Sequence, residues 1–469
     1  MTSDPAAMEA APRRWWVTLA ALILLAATVQ LAAFWPGIMI WDAIRQYGQA
    51  LSGQYDDWHP PAMNWLWREL GLLGSGPAPM LVLQALLYWG GFALLAGAAL
   101  RGGRKGLAIA LVACALLPIP FVLIGTVLKD SLMAGALLTA AGLAAWRRPG
   151  EWPLRIVAIA LLIAAAALRF NAVPACLPLL VALLPTDWRR TWPRLILTTI
   201  IAAIPLFVAL PLANTALRAD RSGVELSLVV YDLGGIGRFA GVDLFPPVGV
   251  ADPVAVNARC YTPVSWDVYA WWGPAPCAIG YGNIRPALEA RHDNPYRLWA
   301  GAIVAHPIAY AEHRLAHFDS NMRFLVHDAD EPVLTLQTDP NPWNYSLPPR
   351  ALRSAIGALA GWTLRTPIGW PACWLALGLG LLLLVPRLSA RTKAIALPIL
   401  LSALLYALSY LPLSVASEVR YHLWTETGIA IAAAMMLADT AHHVSRRRLL
   451  LVFAPLAIVT MLCVAARLL

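Results

Sequence analysis

Charge is scarce in this sequence: Asp, Glu, Lys and Arg make up only 13% of its 469 residues. A chain so poor in charge cannot cover itself with solvated surface. With 59% hydrophobic residues and a mean hydropathy of +0.63, its apolar excess must face lipid. Cysteine is sparse too, 6 in the chain, which excludes a disulfide-dense secreted scaffold. No internal repeat of the kind found in many secondary transporters is visible, and no low-complexity linker lies beyond the polar N-terminus. Gly234-Gly235-Ile236-Gly237 has no Lys-Ser or Lys-Thr after it, so it is not a phosphate loop. The first apolar run, Trp15 to Trp35, lacks a small-residue cleavage site and reads as a retained span rather than a signal peptide.

What the sequence does have is long apolar runs. They cover roughly 15–35, 77–100, 106–124, 131–146, 154–168, 172–186, 195–213, 368–386, 394–413, 424–440 and 449–467. These runs predict an all-α polytopic membrane protein with about eleven transmembrane helices, the shorter ones tilted or buried in protein. The net charge of +9 sits in short Arg clusters between the runs, which points to topology and lipid headgroups rather than nucleic acid. With the N-terminus inside, the cytoplasmic loops carry Arg13-Arg14, Arg101/Arg104/Lys105, Arg147/Arg148/Arg155, Arg189/Arg190/Arg194, Arg387/Arg391/Lys393 and Arg446-Arg447-Arg448. Every predicted inside segment is therefore basic. The expectation is a multi-pass bacterial inner-membrane protein with a cytoplasmic N-terminus and a periplasmic C-terminus. It divides into an N-terminal transmembrane core at 1–213, a periplasmic insert at 214–367 and C-terminal helices at 368–469. The insert is too long and polar for a simple connector and holds Cys260 and Cys277, a disulfide candidate in an oxidising compartment.

Ionisable residues on the expected outside face break the charge pattern. Asp42 and Arg45 follow the first span, and Asp56-Asp57-Trp58-His59 end the first loop. Lys129-Asp130, Arg169-Phe170-Asn171 and Glu418-Val419-Arg420-Tyr421-His422 occupy later outside turns. Taken singly these are interface anchors: Asp42 as a helix cap, Lys129 paired with Asp130, and Trp41, Trp58, Trp65 and Trp67 as an aromatic belt. Taken together they bring acids and bases to one membrane face, where charge is costly unless used. Lys129, Arg169 and Arg420 are candidate ligands for a lipid phosphate, and Asp42 is the candidate general base, with Asp56 and Asp57 as competitors. His313 and His317, four apart on a helix, are weaker metal-ligand candidates; no metal is assigned, although a divalent ion is compatible with the chemistry. Asn344-Tyr345-Ser346 is a glycosylation pattern without meaning in a bacterial host.

Asp42 soon after the first span, His59-Pro60-Pro61 closing the first loop, and Asp130 in the second outside loop resemble the GT-C superfamily of membrane glycosyltransferases. The likeness is to the bacterial branch related to protein mannosyltransferases and lipid A aminoarabinose transferases, and it covers roughly 10–210. The Arg169/Asn171 and Arg420-Tyr421 turns are similar to those of bacterial members, as is His306-Pro307 with Tyr310 and Arg314. Many relatives carry Asp-Glu where this chain has Asp42-Ala43. The resemblance implies a polyprenyl-phosphate sugar donor, a periplasmic glycan or lipid acceptor, and an inverting displacement. Asp42 would then be the base, Asp130 would orient the acceptor or a metal, and the cations would hold the donor phosphate. His59 and Tyr421 would line the acceptor side with Asp56 and Asp57. A transporter or flippase for a lipid-linked glycan, and a polysaccharide polymerase or ligase, are the competing readings.

Overall fold

The computed structural model describes residues 11–147, 150–272, 277–327, 334–441 and 443–469; Arg148, counted above in an inside cluster, lies outside the described residues. In chain order the helices are α1 (Arg13–Phe34), α2 (Trp41–Ser52), α3 (Pro61–Leu70), α4 (Ala78–Arg101), α5 (Lys105–Ala115), α6 (Pro118–Ile124), α7 (Lys129–Trp146), α8 (Trp152–Ala166), α9 (Val173–Leu183) and α10 (Trp192–Ala216). There follow α11 (Leu226–Ala240), α12 (Pro253–Cys260), α13 (Tyr281–Ala290), α14 (Pro295–Ala305), α15 (Pro307–Met322), α16 (Ala351–Leu364), α17 (Pro371–Leu381), α18 (Ala390–Leu413), α19 (Leu423–Thr440) and α20 (Arg446–Leu468). Proline punctuates this order. Pro61, Pro118, Pro253, Pro295, Pro307 and Pro371 each open a helix, where a missing N–H costs nothing.

The chain is an all-helical polytopic membrane protein. By length and composition, α1, α4, α10, α18 and α20 can each cross a bilayer. α5 and α6 pass the same test only as a pair, bent by 61° at the break between them, the geometry of a broken span or a re-entrant loop. The break falls at Leu117, which takes an extended conformation because the residue before a proline is driven out of the helical region. The remaining expected spans coincide with α7, α8, α9, α17 and α19, which are shorter or carry polar residues. Their surroundings explain this. α7 is buried on nearly every side against α4 and α8, and α19 against α5, α7 and α17, so neither needs a lipid-facing surface. α10, by contrast, turns Ile196, Ile200, Ile204 and Phe207 outward, as a lipid-facing helix must.

The chain forms two compact units. One comprises 1–220, 332–407 and 419–460; the other comprises 221–331, 408–418 and 461–469. The boundaries differ from the expected insert of 214–367, because residues 334–367 belong with the first unit. There α16 packs on α6 and α1, and the segment before it is tied to the start of α2. In the second unit Cys260 and Cys277 form a disulfide. Among the described residues no strand forms, only isolated bridges such as Ile38 with Thr126.

Candidate active site

The first loop is held in place before it reaches Asp42. The Ile38 N–H donates to the Gly125 carbonyl (3.1 Å), and the Val127 N–H donates to the Ile38 carbonyl (2.9 Å). The α6–α7 turn is itself fixed by the Gln84 amide, which donates to the carbonyls of Ile124 (2.7 Å) and Thr126 (2.8 Å). These bonds set the start of α2 beside the start of α7, and so bring Asp42 near Lys129. The N-terminus of α2 is capped from far along the chain: Asp339 Oδ2 accepts from the Trp41 N–H at 2.8 Å. Asp42 is therefore not the cap. It lies in the first helical turn, where the backbone dipole favours a carboxylate.

Three segments converge on Asp42. Its Oδ2 accepts from Arg420 Nη1 at 2.8 Å and from Lys129 Nζ at 3.4 Å. Lys129 Nζ also lies 2.8 Å from His59 Nδ1. An ammonium has no acceptor, so Nδ1 accepts and the imidazole proton sits on Nε2, which lies 3.8 Å from Asp42 Oδ1. Burial works against the charge of Asp42, but Arg420, Lys129 and His59 outweigh it and hold the carboxyl well below the usual range. Burial, with Lys129 beside it, pushes His59 down to about 3, so the ring is neutral.

Lys129 does not pair with Asp130. The two are adjacent on a helix and point in different directions. Asp130 is almost fully buried and pairs instead with Arg169 Nη1, while Arg169 Nε donates to Asn171 Oδ1 at 3.2 Å. The Tyr421 ring bridges the two groups: the Arg169 guanidinium lies 4.8 Å from its centroid and that of Arg420 5.6 Å. Lys129, Arg169 and Arg420 thus belong to one contiguous cluster with the carboxylates of Asp42 and Asp130.

The other loop candidates stand apart. Asp56 pairs with Arg45 at 2.5 Å and accepts from the Trp58 N–H, stapling its own loop. The Asp57 N–H donates to the Asp220 carbonyl at 3.0 Å, which anchors the same loop end. Trp67 is not a belt residue: it is buried against Tyr47, with its indole N–H on the Gly76 carbonyl. His313 and His317 face into the second unit rather than offering a metal edge. His313 bonds Asp232 (3.0 Å) and Tyr261 (2.8 Å), and His317 bonds the Pro263 carbonyl (2.7 Å). Among the described residues no group of three or more His, Cys, Asp or Glu side chains is arranged to hold a metal ion.

Three acidic residues escaped the reading of the sequence. Asp339 sits in a polar stretch with no helical or motif signal. Asp232 is buried under His313, Arg314 (2.5 Å) and Trp299 (2.7 Å) in α11. Glu426, buried in the first turn of α19, did carry a signal: an ionisable residue inside an apolar run.

No protein-family model matches this chain, and no curated protein sequence matches it. Among solved structures it is similar to ArnT from Cupriavidus metallidurans in the apo state, with a TM-score of 0.32, 16% identity, and coverage of 91% of this chain and 77% of that one. It is similar also to the same protein bound to undecaprenyl phosphate, with a TM-score of 0.33, 15% identity, and coverage of 97% and 90%. Overlap of that degree leaves the architecture to be read from this chain's own helices.

Proposed function

We propose that this protein is a GT-C-type membrane glycosyltransferase, moving a sugar from a polyprenyl-phosphate donor to a glycan or lipid acceptor at the periplasmic face of the inner membrane. The observation that carries the reading is the convergence on Asp42 of Lys129, Arg420 and His59 from segments far apart in sequence. Cations at a membrane interface suit a lipid-linked phosphate, and a carboxylate among them suits proton removal from a hydroxyl.

In this mechanism the donor phosphate takes the places that Asp42 occupies beside Lys129 and Arg420, with Arg169 contributing charge from behind Tyr421. Asp42, relieved of its partners, regains basicity and accepts the acceptor hydroxyl proton. The acceptor oxygen bonds to the sugar C1 as the C1–O bond to phosphate breaks. Polyprenyl phosphate leaves with the electron pair, and the configuration at C1 inverts. Neutral His59 keeps Lys129 oriented throughout. The N-terminus lies in the cytoplasm and the C-terminus in the periplasm on this reading.

The test is transfer by the purified protein from a polyprenyl-phosphate sugar to extracted envelope lipids and glycans, read by mass spectrometry. Wild type should give a sugar-bearing acceptor and free polyprenyl phosphate in equal amounts. Movement of the lipid-linked sugar between leaflets, with no bond broken, would replace the transferase with a flippase.

A further inference from the structure

At the opposite end of α7 from Lys129, about 27 Å away by helical rise, three arginines are drawn together. Arg147 follows the last turn of α7, Arg155 lies in the first turn of α8, and Arg189 ends the 3-10 turn Thr186–Arg189. These elements pack together: α7 on α8 and α9, and α10 on that 3-10 turn. Among the described residues no carboxylate is paired with any of the three. The Nε atoms of Arg147 and Arg189 are buried without a hydrogen-bond partner. Burial, together with Arg155 and Arg147 nearby, disfavours the charge of Arg189.

Charges that only orient a membrane protein need not converge; their number in the loop suffices. Like charges brought together need an anion to offset them, and the acids nearest in sequence, Glu151 before α8 and Asp187 in the 3-10 turn, form no ion pair with these arginines among the described residues. The surroundings say where that anion comes from. Trp152, Trp188 and Trp192 are 59%, 48% and 79% exposed around the arginines, and Arg155 lies 4.7 Å over the Trp152 ring. Exposed tryptophan at a helix end marks the headgroup level of a bilayer. Directly beyond it, Ile156 and Val157 of α8 and Ile196 and Leu197 of α10 present an exposed apolar surface suited to acyl chains.

We infer that Arg147, Arg155 and Arg189 form a binding site for the phosphate of an anionic phospholipid, in the leaflet opposite the Asp42 cluster. The guanidinium forks grip the phosphate oxygens, the tryptophans fix its depth, and the acyl chains lie along α8 and α10. The inference stands independently of the transferase reading.

The experiment is native mass spectrometry of the full chain, titrated with phosphatidylglycerol or phosphatidylcholine, alongside thermal unfolding with each lipid and with inorganic phosphate. Phosphatidylglycerol should bind and raise the melting temperature, and phosphatidylcholine should do so much less. The double variant Arg155→Gln/Arg189→Gln should bind phosphatidylglycerol about tenfold or more weakly. Should that variant fail to insert, Arg155→Lys/Arg189→Lys keeps the charge and loses the fork; its affinity should fall at least about threefold. Equal retention of the two lipids by wild type, or wild-type affinity in the Lys pair, would overturn the site. Stabilisation by inorganic phosphate equal to that by phosphatidylglycerol would overturn its assignment to a lipid.

Discussion

Lys129 Nζ donates to His59 Nδ1 across 2.8 Å, joining residues 70 apart in sequence. The bond fixes the histidine as neutral and gives the site its pH dependence. His59 in the folded protein holds its proton only below about 3, whereas a free histidine takes one up near 6.5. The unfolded state therefore binds more protons between those values, and folding stability falls as pH drops below about 6.5. The low-lying Asp42 adds its own loss only nearer pH 4 and below, through the same linkage. Wild type should lose melting temperature between pH 7.5 and 5, and His59→Gln should lose measurably less over that window. Identical slopes would remove His59 from the charge balance.

Asp42→Asn should separate binding from chemistry. The amide keeps the shape of the carboxylate but cannot take the acceptor proton, so transfer should fall roughly 10²–10⁴-fold. Lys129 and Arg420 lose their anionic competitor at the same time. On the proposed reading a polyprenyl phosphate should therefore bind as tightly as to wild type, or more tightly. Lys129→Met and Arg420→Gln should weaken that binding, by about 1.5–3 kcal/mol for each charged hydrogen bond lost. Weaker lipid binding by Asp42→Asn would mean that the carboxylate organises the cations instead of competing with the phosphate.

Asp130→Asn should fail for a different reason. Asp130 is 2% exposed and partners Arg169, so its removal takes a counter-charge away from a buried guanidinium. Breaking a buried pair from one side costs roughly 3–5 kcal/mol. The variant should insert poorly and melt early, and Asp130→Asn/Arg169→Gln should recover part of that loss. A folded but inactive Asp130→Asn would give Asp130 a direct part in acceptor handling.

The spans and the charged turns could be read from the sequence because each is a local signal. Apolar runs mark the helices, and Lys129, Arg169 and Arg420 stand out as cations on the expected outside face. The pairing scheme could not be read that way. Proximity in sequence suggested Lys129 with Asp130, but adjacent helical residues diverge, and the partners came from α2 and the loop before α3. Asp339 caps α2 across 298 residues, a long-range bond that no local pattern encodes. Trp67 looked like an interfacial tryptophan and is a core residue, because Tyr47 and Gly76 close over it. The grouping of α16 with the first unit was hidden for the same reason: its segment follows a polar stretch, and only its contacts with α1 and α6 assign it.

The Cys260–Cys277 disulfide bears on both topology and stability. The bond links α12 to the segment before α13, and α12 carries Asn257, which holds Tyr269 at 2.6 Å and the Gly234 carbonyl at 2.9 Å. Cutting the link frees that end of the second unit while leaving the helices around Asp42 bonded as before. Closing a loop of this length stabilises by roughly 3 kcal/mol, so Cys260→Ser/Cys277→Ser should lower the melting temperature of the second unit and open it to limited proteolysis. Protein from cells with an oxidising periplasm should resist maleimide labelling at both cysteines until it is reduced, and protein from a strain lacking periplasmic thiol oxidation should label at once. Labelling of both cysteines without reduction in the first strain would place residues 221–331 in the cytoplasm. That result would overturn the topology on which a periplasmic donor and acceptor depend.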